Sequence, residues 1–511
     1  MKKLLALLLL ALMLIPIAVS CASDDATTVT TAPITTTAPV TTTSPITTTS
    51  PITTTEAVTT TAPVTTQPLP VKKPWSSKDD VKTTWAGKTV NVACTTWSAT
   101  PGYPWSTIEL CVKEGETSDW GELIDTAVLE REKFIEKTYG VELNFVNASR
   151  YNTDTVLKNA LLSGDVFYEL AMPRIYQAHQ IVIDGSVFDL TGRSYIDFNN
   201  KYYSDVFVDA YTAHGHTFSV VGDFSITDKQ STYALFFNKD LLGGEEATNT
   251  LYTMVREGKW TWDQLVSYCN AVYEDDGDGM RSETDTYGVR FAPFKYFYGY
   301  FGVKQADTDE SGNWIITLDD ERVDSIIDAI ITADSSKWLS RWSNHKTALV
   351  NGKLLFTNEI VGNSYIAKNG NIGIVPFPML NEDQGRYYTP AMYPQINIIC
   401  VPKATSNRKM SEYFLDVLAW TGSEYVMEAY YEDLFANFKT DDEKDMILNY
   451  IFPSVVYDAG ALVGWGSLLG DVIAGSYSHN VNNFDVSYAE GLPDAIEKIK
   501  ELNTAWSSYT E

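Results

Sequence analysis

The run Thr89-Val90-Asn91-Val92-Ala93-Cys94 is a strand candidate, and the segments that follow it decide the fold class. Residues 121–139 carry apolar side chains at a 3.6-residue period, which predicts an amphipathic helix. Residues 141–146 then predict a second strand, residues 152–162 a short helix and residues 167–172 a third strand. Strands that alternate with helices predict an α/β fold with a parallel sheet and right-handed crossovers. In such sheets, ligands bind beyond the carboxyl ends of the strands.

The aromatic residues of this 511-residue sequence are confined to one part of it. All 13 Trp, 30 Tyr and 21 Phe residues follow Lys73, so we expect the folded domain to span residues 74–511. A chain of roughly 430 residues exceeds one hydrophobic core, which predicts two lobes. The net charge of −28 repels phosphate backbones and excludes nucleic acid as a partner.

Residues 1–20 have the features of a secretory signal peptide. Lys2 and Lys3 precede an apolar run over residues 4–15, which is too short for a stable membrane span. The small residues before Cys21 resemble a bacterial lipobox, although Ala18 stands where that pattern favours Leu. The resemblance implies that Cys21 is lipidated and holds the protein on the extracellular face of the cell membrane. The alternative is a plain signal peptide with an incidental cysteine.

Residues 21–73 are interpreted as a disordered stalk. Residues 26–70 contain 21 Thr and seven Pro, and five of the prolines share one six-residue register. Pro fixes φ and removes hydrogen-bond donors, and Thr offers little surface to bury, so no core is expected. At ~3.1 Å per residue in polyproline II geometry, such a segment reaches at most about 140 Å.

Six segments after residue 230 carry a family resemblance. In chain order they are YALFFNKDLL (233–242), GKWTWDQL (258–265), YGV (287–289), residues 352–358, GIVPFP (373–378) and the helix candidate 406–420. Together they resemble the extracellular solute-binding proteins of ABC importers, in family 1, which includes maltose-binding protein. The resemblance covers about residues 86–510.

The resemblance implies two α/β lobes joined by crossing strands, with a hinge and a ligand cleft between them. On the family layout, lobe 1 contains residues of about 86–222 and 350–400, and lobe 2 contains about 223–349 and 401–511. The expected ligand is a carbohydrate, in our interpretation an oligosaccharide, which the protein would deliver to a membrane permease. No cofactor is required for such a function.

Candidate ligand-binding residues are aromatic or charged side chains near the expected cleft. Trp97 and Arg174 follow the first and third predicted strands, and Asp223 lies near the predicted crossing between lobes. The resemblance adds an aromatic cluster after residue 293 and a tryptophan between two glycines. These residues are Tyr296, Tyr298, Tyr300 and Trp465. The alternative for each aromatic residue is an ordinary place in the core or on the rim.

An acidic segment follows the helix candidate that ends near residue 273. Counted from Glu274, oxygen ligands recur at the spacing of an EF-hand calcium loop, with Gly279 at the sixth position. The candidate ligands of a structural Ca²⁺ are Glu274, Asp276, Asp278, Met280, Ser282 and Asp285. Glu at the first position and Asp at the last depart from the pattern, and both should weaken affinity. The alternative is a solvated acidic turn.

Enzymatic function has weak support in the sequence. Neither a GxSxG nor an HExxH motif occurs, and His214 and His216 lack the companions of a zinc site. A secreted, surface-tethered glycan hydrolase remains an alternative, since a pair of carboxylates is easily found in an acidic domain. A glycan-binding adhesin or sensor is a further alternative. We expect a binding protein and not an enzyme.

Overall fold

The computed structural model describes residues 84–95, 118, 120–149, 152–291, 294–318, 321–391, 396–460 and 481–510. The chain divides into two units at residue 70, and every described residue belongs to the second, Val71–Glu511. The predicted signal peptide, Cys21 and the stalk to residue 73 lie outside the described residues. Among the residues that the structure describes, no helix has the length and apolar composition that crossing a membrane requires.

The first sheet confirms the predicted alternation of strands and helices. Its strands are β1 (Thr89–Cys94), β2 (Glu142–Asn147) and β3 (Leu170–Met172), in the parallel order β2-β1-β3. Helices α1 (Glu122–Tyr139) and α2 (Thr153–Ser163) connect them. Helix α1 ends where Gly140 adopts the left-handed conformation, with φ of 69°, as the sequence predicts for a C-terminal glycine.

Residues 396–402 complete this lobe from a distant part of the chain. Isolated antiparallel bridges join Ala171 to Cys400 and Val220 to Ile399. Two further helices of the lobe are α3 (Ala178–Ile183) and α4 (Asp205–Tyr211), and α5 (Thr227–Gln230) follows in the segment that leaves the lobe.

The second sheet has four strands in the order β5-β8-β4-β9. They are β4 (Tyr233–Asn238), β5 (Tyr287–Arg290), β8 (Leu354–Ile360) and β9 (Ile372–Val375). Strand β4 runs antiparallel to β8 and β9, and β5 runs parallel to β8. All six residues of β4 are buried, so both faces of the sheet are covered at this strand.

The remaining elements fall mainly around this second sheet. The α-helices are α6 (Lys239–Leu242), α7 (Glu245–Arg256), α8 (Trp262–Val272), α9 (Arg322–Ser335), α10 (His345–Val350), α11 (Arg408–Thr421), α12 (Met427–Phe435), α13 (Asp441–Asp445) and α14 (Phe484–Ser507). The 3-10 helices are Ile175–Gln177, Phe294–Phe301, Val361–Asn369, Glu382–Gln384 and Phe452–Ser454, and the π-helices are Gly422–Val426 and Met446–Ile451. Two short strand pairs, β6 (Ala306–Thr308) with β7 (Trp314–Ile316) and β10 (Thr389–Pro390) with β11 (Val455–Val456), complete the described elements.

The division into lobes differs from the predicted one. We expected residues 350–400 in lobe 1, but β8 and β9 are strands of the second sheet. We expected residues 401–511 in lobe 2, but α11 packs in one core with β1 and β3 of the first sheet. The reason is that strand partners are non-local: the apolar run of β8 predicts a buried strand without indicating which sheet receives it. The described lobe 1 therefore contains residues 84–222 and 396–421.

Two chain segments that connect the lobes touch each other directly. The first spans residues 222–232 and the second is the π-helix Gly422–Val426. A Cβ atom on Gly422 would lie 1.9 Å from the carbonyl oxygen of Asp223, so this close approach requires glycine. We call these segments the first and second crossings.

A hairpin and the last helix also join the lobes. Hairpin β6–β7 leaves the second-lobe core at Ala306, yet its Trp314 is 1% exposed among lobe 1 residues. There the Trp314 ring lies 5.6 Å from the His179 ring and 5.8 Å from the Trp506 ring of α14. The side-chain amide of Asn503 accepts a hydrogen bond from the backbone N–H of Trp314 at 2.8 Å and donates one to the backbone carbonyl oxygen of Trp314 at 3.0 Å. We call His179, Trp314 and Trp506 the hairpin contact.

Candidate functional site

A cavity of about 310 Å³ lies beside the first crossing. Lobe 1 contributes residues 201–206 to its wall. Residues 452–457, which include β11, contribute another part, in which Tyr457 packs in the lobe 1 core and Phe452 packs against the second-lobe core. Asp223, Asp228, Lys229 and Thr232 of the crossing form the rest. We call it the crossing cavity. Its volume is at the low end of the range of about 300–1,000 Å³ that is typical of ligand pockets.

Three charged residues of the first crossing form an ion-pair cluster in this wall. The Lys229 ammonium lies 2.6 Å from Asp228 Oδ2 and 3.5 Å from Asp223 Oδ1. Burial by itself would lower the pKa of Lys229, but Asp228 and Asp223 outweigh it and raise that pKa well above its ordinary value. Burial raises the pKa of Asp223, and the nearby Lys229 opposes the rise. We call these residues the crossing cluster.

Asp228 has one carboxylate oxygen with no hydrogen-bond donor among the described residues. The residue is 6% exposed, and Lys229 binds its Oδ2 while its Oδ1 is left without a partner. Its main-chain oxygen accepts from Thr232 Oγ1 at 2.9 Å, which fixes the local backbone. A buried acceptor without a donor costs about 1–3 kcal/mol, and more when it is charged. This oxygen is itself buried and does not face the cavity.

The aromatic walls of the cavity are held in fixed orientations. The Tyr203 hydroxyl donates to Asp416 Oδ1 at 2.9 Å. Ser204 caps helix α4 by accepting from the Phe207 N–H, and its side chain hydrogen-bonds to the Tyr457 hydroxyl. Since both tyrosines are buried and held by hydrogen bonds, the cavity is largely formed before any ligand arrives.

Arg174 lies at the carboxyl edge of the first sheet, directly after β3, as predicted. It is buried, its N–H donates to Gln177 Oε1 at 3.0 Å, and its backbone bridges to Asn397. The N–H of Asn397 donates in turn to Thr227 Oγ1 at 3.1 Å, which connects this edge to the first crossing. Arg174 and Asp223 therefore belong to neighbouring parts of the interlobe region.

Two predicted tyrosines lie in the second-lobe core and not on a cleft surface. Tyr298 is 2% exposed and donates to Asp458 Oδ2 at 2.9 Å. Tyr300 is 1% exposed, stacks on Phe377 with ring centroids 3.9 Å apart, and accepts from Asn358 at 3.0 Å. The physical reason is that residues 294–301 form a 3-10 helix whose described side chains, from Phe297 to Phe301, pack into the second-lobe core.

The other predicted aromatic residues are outside the described set. Trp97 and Trp465 lie outside the described residues, and so does the side chain of Tyr296, whose backbone belongs to the 3-10 helix. Asp223 is the predicted residue that lines the crossing cavity. Sequence reasoning missed Asp228 and Lys229, although an Asp-Lys pair five residues after Asp223 was a visible signal.

The acidic loop brings carboxylates together in a different set from the predicted one. Asp275, Asp276 and Asp278 have carboxylate oxygens within 4.8 Å of one another. Asp285 instead accepts from the N–H groups of Asp276 and Ser282, at 3.1 and 3.0 Å.

The remaining predicted ligands of the loop have other contacts or face solvent. The main chain of Glu274 pairs with Thr286, the hydroxyl of Ser282 pairs with Thr284, and Met280 is exposed. The cluster thus does not follow the EF-hand register. It contains Asp275 and not Glu274, and the Asp285 carboxylate accepts hydrogen bonds from backbone N–H groups. These donors suit a hard cation such as Ca²⁺.

Comparisons with known proteins give structural matches and no sequence match. No family model matches the chain, and no curated protein matches it significantly. A cyclo/maltodextrin-binding protein complexed with maltotetraose is similar in structure, with a TM-score of 0.54, 13% identity and coverage of 81% of this chain and 97% of that one.

Two further structures are similar over a comparable length. The GacH receptor of Streptomyces glaucescens, studied unliganded and with acarbose, has a TM-score of 0.47 and 16% identity over 83% of this chain and 99% of that one. Maltose-bound MalE3 of T. maritima has a TM-score of 0.47 and 13% identity over 82% and 99%. At such low identity the likeness concerns the fold. The chain has the two-lobed α/β fold, with a hinge and an interlobe cleft, of maltose-binding-protein-like solute-binding proteins.

Proposed function

We propose that this protein binds a carbohydrate between its two lobes and acts as the solute-binding component of an ABC importer. The observation that carries the proposal is the crossing cavity, whose lining residues pack against the cores of both lobes and belong in part to the chain that connects them. Its wall combines carboxylates, an ammonium and hydroxyls with the aromatic side chains of Tyr203, Phe452 and Tyr457. Sugars need both kinds of contact, since their hydroxyls form hydrogen bonds and their C–H faces pack on rings.

The position of the cavity supports a role in lobe movement. A ligand that contacts residues 201–206, the first crossing and residues 452–457 at once would favour the arrangement in which these three segments are close. Asp228 and Lys229 lie within the crossing itself, so a ligand contact there would act directly on the hinge. In this proposal, the closed arrangement is the one that the permease recognises.

Binding without turnover is proposed over hydrolysis. The cyclo/maltodextrin-binding protein that shares the fold is a binding protein, which supports this choice. The experiment is a melting and tryptophan-fluorescence screen of purified protein against malto-, cello-, xylo- and manno-oligosaccharides, with product analysis after overnight incubation. We expect one sugar class to raise the melting temperature and change the fluorescence while remaining intact. Product formation would favour the hydrolase alternative, and no shift with any sugar would contradict the proposal.

A matched pair of variants connects this screen to the cavity. Asp228→Asn changes a buried cavity residue, while Asp441→Asn changes a residue whose side chain is 82% exposed in a surface ion pair. We expect Asp228→Asn to reduce the ligand-induced shift and Asp441→Asn to leave it unchanged. An equal response of both variants to the sugar would remove the cavity from the site.

We further propose that Cys21 carries a lipid and that residues 21–73 hold the domain away from the extracellular face of the membrane. The Thr/Pro composition and the lipobox-like residues support this part of the proposal. In the producing bacterium, Cys21→Ser should move the protein from the membrane fraction to the medium. Crosslinking of the full chain in the same cells should recover permease subunits, and their absence would leave an adhesin or sensor as the better interpretation.

A further inference from the structure

We infer that His345 and Glu359 form a pH-sensitive contact at the end of the second lobe that adjoins the first crossing. The contact is complete when the His345 ring carries two protons and is weakened when the ring carries one. It joins the first residue of α10 to the penultimate residue of β8. The inference goes beyond the proposed function, since it concerns hydrogen bonds within the protein and not the ligand.

The ring of His345 has a hydrogen-bond acceptor beside each of its nitrogens. Its Nδ1 lies 3.0 Å from the carbonyl oxygen of Ser343, and its Nε2 lies 2.5 Å from Glu359 Oε1. A carbonyl oxygen and an ionised carboxylate accept hydrogen bonds and donate none, and a neutral imidazole has one N–H. A neutral ring would therefore leave one nitrogen lone pair facing an acceptor, whereas the doubly protonated ring donates to both.

Glu359 keeps its negative charge in this arrangement. The side-chain N–H of Asn363 donates to its Oε2 at 2.5 Å, and the Lys346 ammonium lies 3.9 Å from the same oxygen. Burial alone would raise the pKa of Glu359, but the hydrogen bond from His345 and the charge of Lys346 outweigh it and lower that pKa. The proton between the ring and the carboxylate therefore belongs to the ring, so the contact is an ion pair.

The other charged or titratable groups around His345 each have a partner besides the ring. The ammonium of Lys346 lies near Glu359 and a tyrosine ring, the Glu283 carboxylate accepts from Asn344, and the ion pair of α5 is internal. These groups are Lys346 in α10, Tyr365 in the 3-10 helix 361–369, Glu283 in the acidic loop, and Asp228 with Lys229 in α5. The second proton of His345 is therefore held by Glu359.

The contact lies where the second lobe meets the first crossing. In the antiparallel register, Glu359 of β8 is opposite Ala234, the second residue of β4, and β4 follows the crossing directly. Two residues after Glu359, the N–H of Val361 donates to the carbonyl oxygen of Thr232 in the crossing at 2.8 Å. The proton on His345 thus affects how firmly α10 is held to the end of β8 beside the crossing.

The sign of the pH effect follows from the protons bound. The folded contact favours the doubly protonated ring, so its contribution to stability is present at low pH and is lost as the pH rises. A charge-assisted hydrogen bond is roughly twice as strong as a neutral one. Loss of the charge should therefore lower the folding equilibrium constant by about fivefold.

The first measurement is urea unfolding of wild type, His345→Gln and the control Lys346→Gln between about pH 5.5 and about pH 8.5. Glutamine at residue 345 offers Glu359 a neutral donor that does not titrate, and Lys346→Gln removes a charge that does not titrate in this range. We expect the folding constant of wild type, relative to His345→Gln, to fall about fivefold as the pH rises. Lys346→Gln should keep the pH dependence of wild type.

The second measurement follows the protonation of His345 itself. Hydrogen exchange at the imidazole C2 carbon, read by peptide mass spectrometry, reports each histidine separately in wild type and Glu359→Gln. The ring should stay doubly protonated to a higher pH in wild type. Equal protonation in both proteins would overturn the inference, and so would parallel stability curves for wild type and His345→Gln. Each measurement decides the question where the other's variant does not fold, and neither involves a sugar.

Discussion

The crossing cluster and the hairpin contact both lie between the lobes, and both contain buried polar atoms that have no partner among the described residues. In the crossing cluster this atom is Asp228 Oδ1. The hairpin contact has four such atoms, which are the two ring nitrogens of His179 and the indole nitrogens of Trp314 and Trp506. The two groups differ in charge. Burial lowers the pKa of His179 to about 3, so its ring is neutral. Asp228, in contrast, forms an ion pair with Lys229.

The comparison indicates how the two connections are built. Neutral aromatic rings pack tightly and contribute apolar burial, so the hairpin contact serves to hold the lobes together. A charged cluster with an unfilled acceptor beside a cavity contributes little stability of its own. Its place in the wall of the crossing cavity suits it to contact a ligand. Each of the following predictions tests this division.

The largest expected effect is on stability at the hairpin contact. Trp314→Ala removes a fully buried ring from the lobe 1 core, so it should lower the free energy of unfolding by about 4 kcal/mol. Urea unfolding followed by circular dichroism measures this loss. Trp342→Ala, at a half-buried tryptophan, is the control and should cost clearly less. Equal losses would show that Trp314 has no special part in joining the lobes.

Removal of the cation from the crossing cluster is expected to have the next largest effect. Lys229→Met leaves Asp223 and Asp228 without their shared partner, and should destabilise the protein by about 3 kcal/mol. The double variant Lys229→Met with Asp228→Asn should recover most of this loss, because one of the unpaired charges is gone. A double variant no more stable than the single one would contradict the ion-pair interpretation.

The pH dependence of stability should distinguish the two regions further. His179 has a folded pKa of about 3, below the ordinary 6.5, so the unfolded chain binds more protons between these values. Its contribution to stability is therefore complete above pH 6.5 and is lost as the pH falls toward 3. Between pH 7 and pH 5 this amounts to about 2 kcal/mol.

The measurement compares urea unfolding of wild type and His179→Phe across this pH range. Other groups titrate in both proteins, so the difference between their two curves isolates His179. We expect the stability of wild type to fall relative to the variant as the pH falls. Parallel curves would show that the ring is solvated and protonates without penalty.

The smallest expected effect belongs to the acidic loop, which is exposed and lies outside both connections between the lobes. If Asp275, Asp276 and Asp278 bind Ca²⁺ with millimolar affinity, 10 mM calcium should stabilise the protein by about 1 kcal/mol. Calorimetric titration of chelator-stripped protein and a melting scan measure this, with Asp276→Asn as the test variant and Asp441→Asn as its control. No heat and no melting shift would discard the calcium proposal.

The sequence predicted most reliably what depends on neighbouring residues. The order β1, α1, β2, α2, β3 was predicted within a few residues, since the 3.6-residue period of α1 and the glycine that ends it are local signals. The lobe membership of β8, β9 and α11 was predicted wrongly, because it depends on partners more than 100 residues away in the chain.

The candidate site shows the same division between local and distant information. Asp223 was predicted because it lies near the crossing between lobes that the family layout implies. Tyr298 and Tyr300 were predicted in the cleft but lie in the core. A sequence alone does not distinguish an aromatic residue that packs in a core from one that binds a sugar. The unfilled oxygen of Asp228 could not be predicted, since it depends on every donor that surrounds it in three dimensions.

The contact between Gly422 and the carbonyl oxygen of Asp223 has a consequence for how the molecule bends. Because no side chain separates the two crossings there, they cannot slide past each other without moving the backbone that carries Asp228 and Lys229. We therefore expect the point of contact to act as a pivot when one lobe turns relative to the other. Enlarging residue 422, as in Gly422→Ala, would push away the carbonyl group of Asp223, which is itself a residue of the cavity wall, and we expect it to shift the balance between open and closed arrangements.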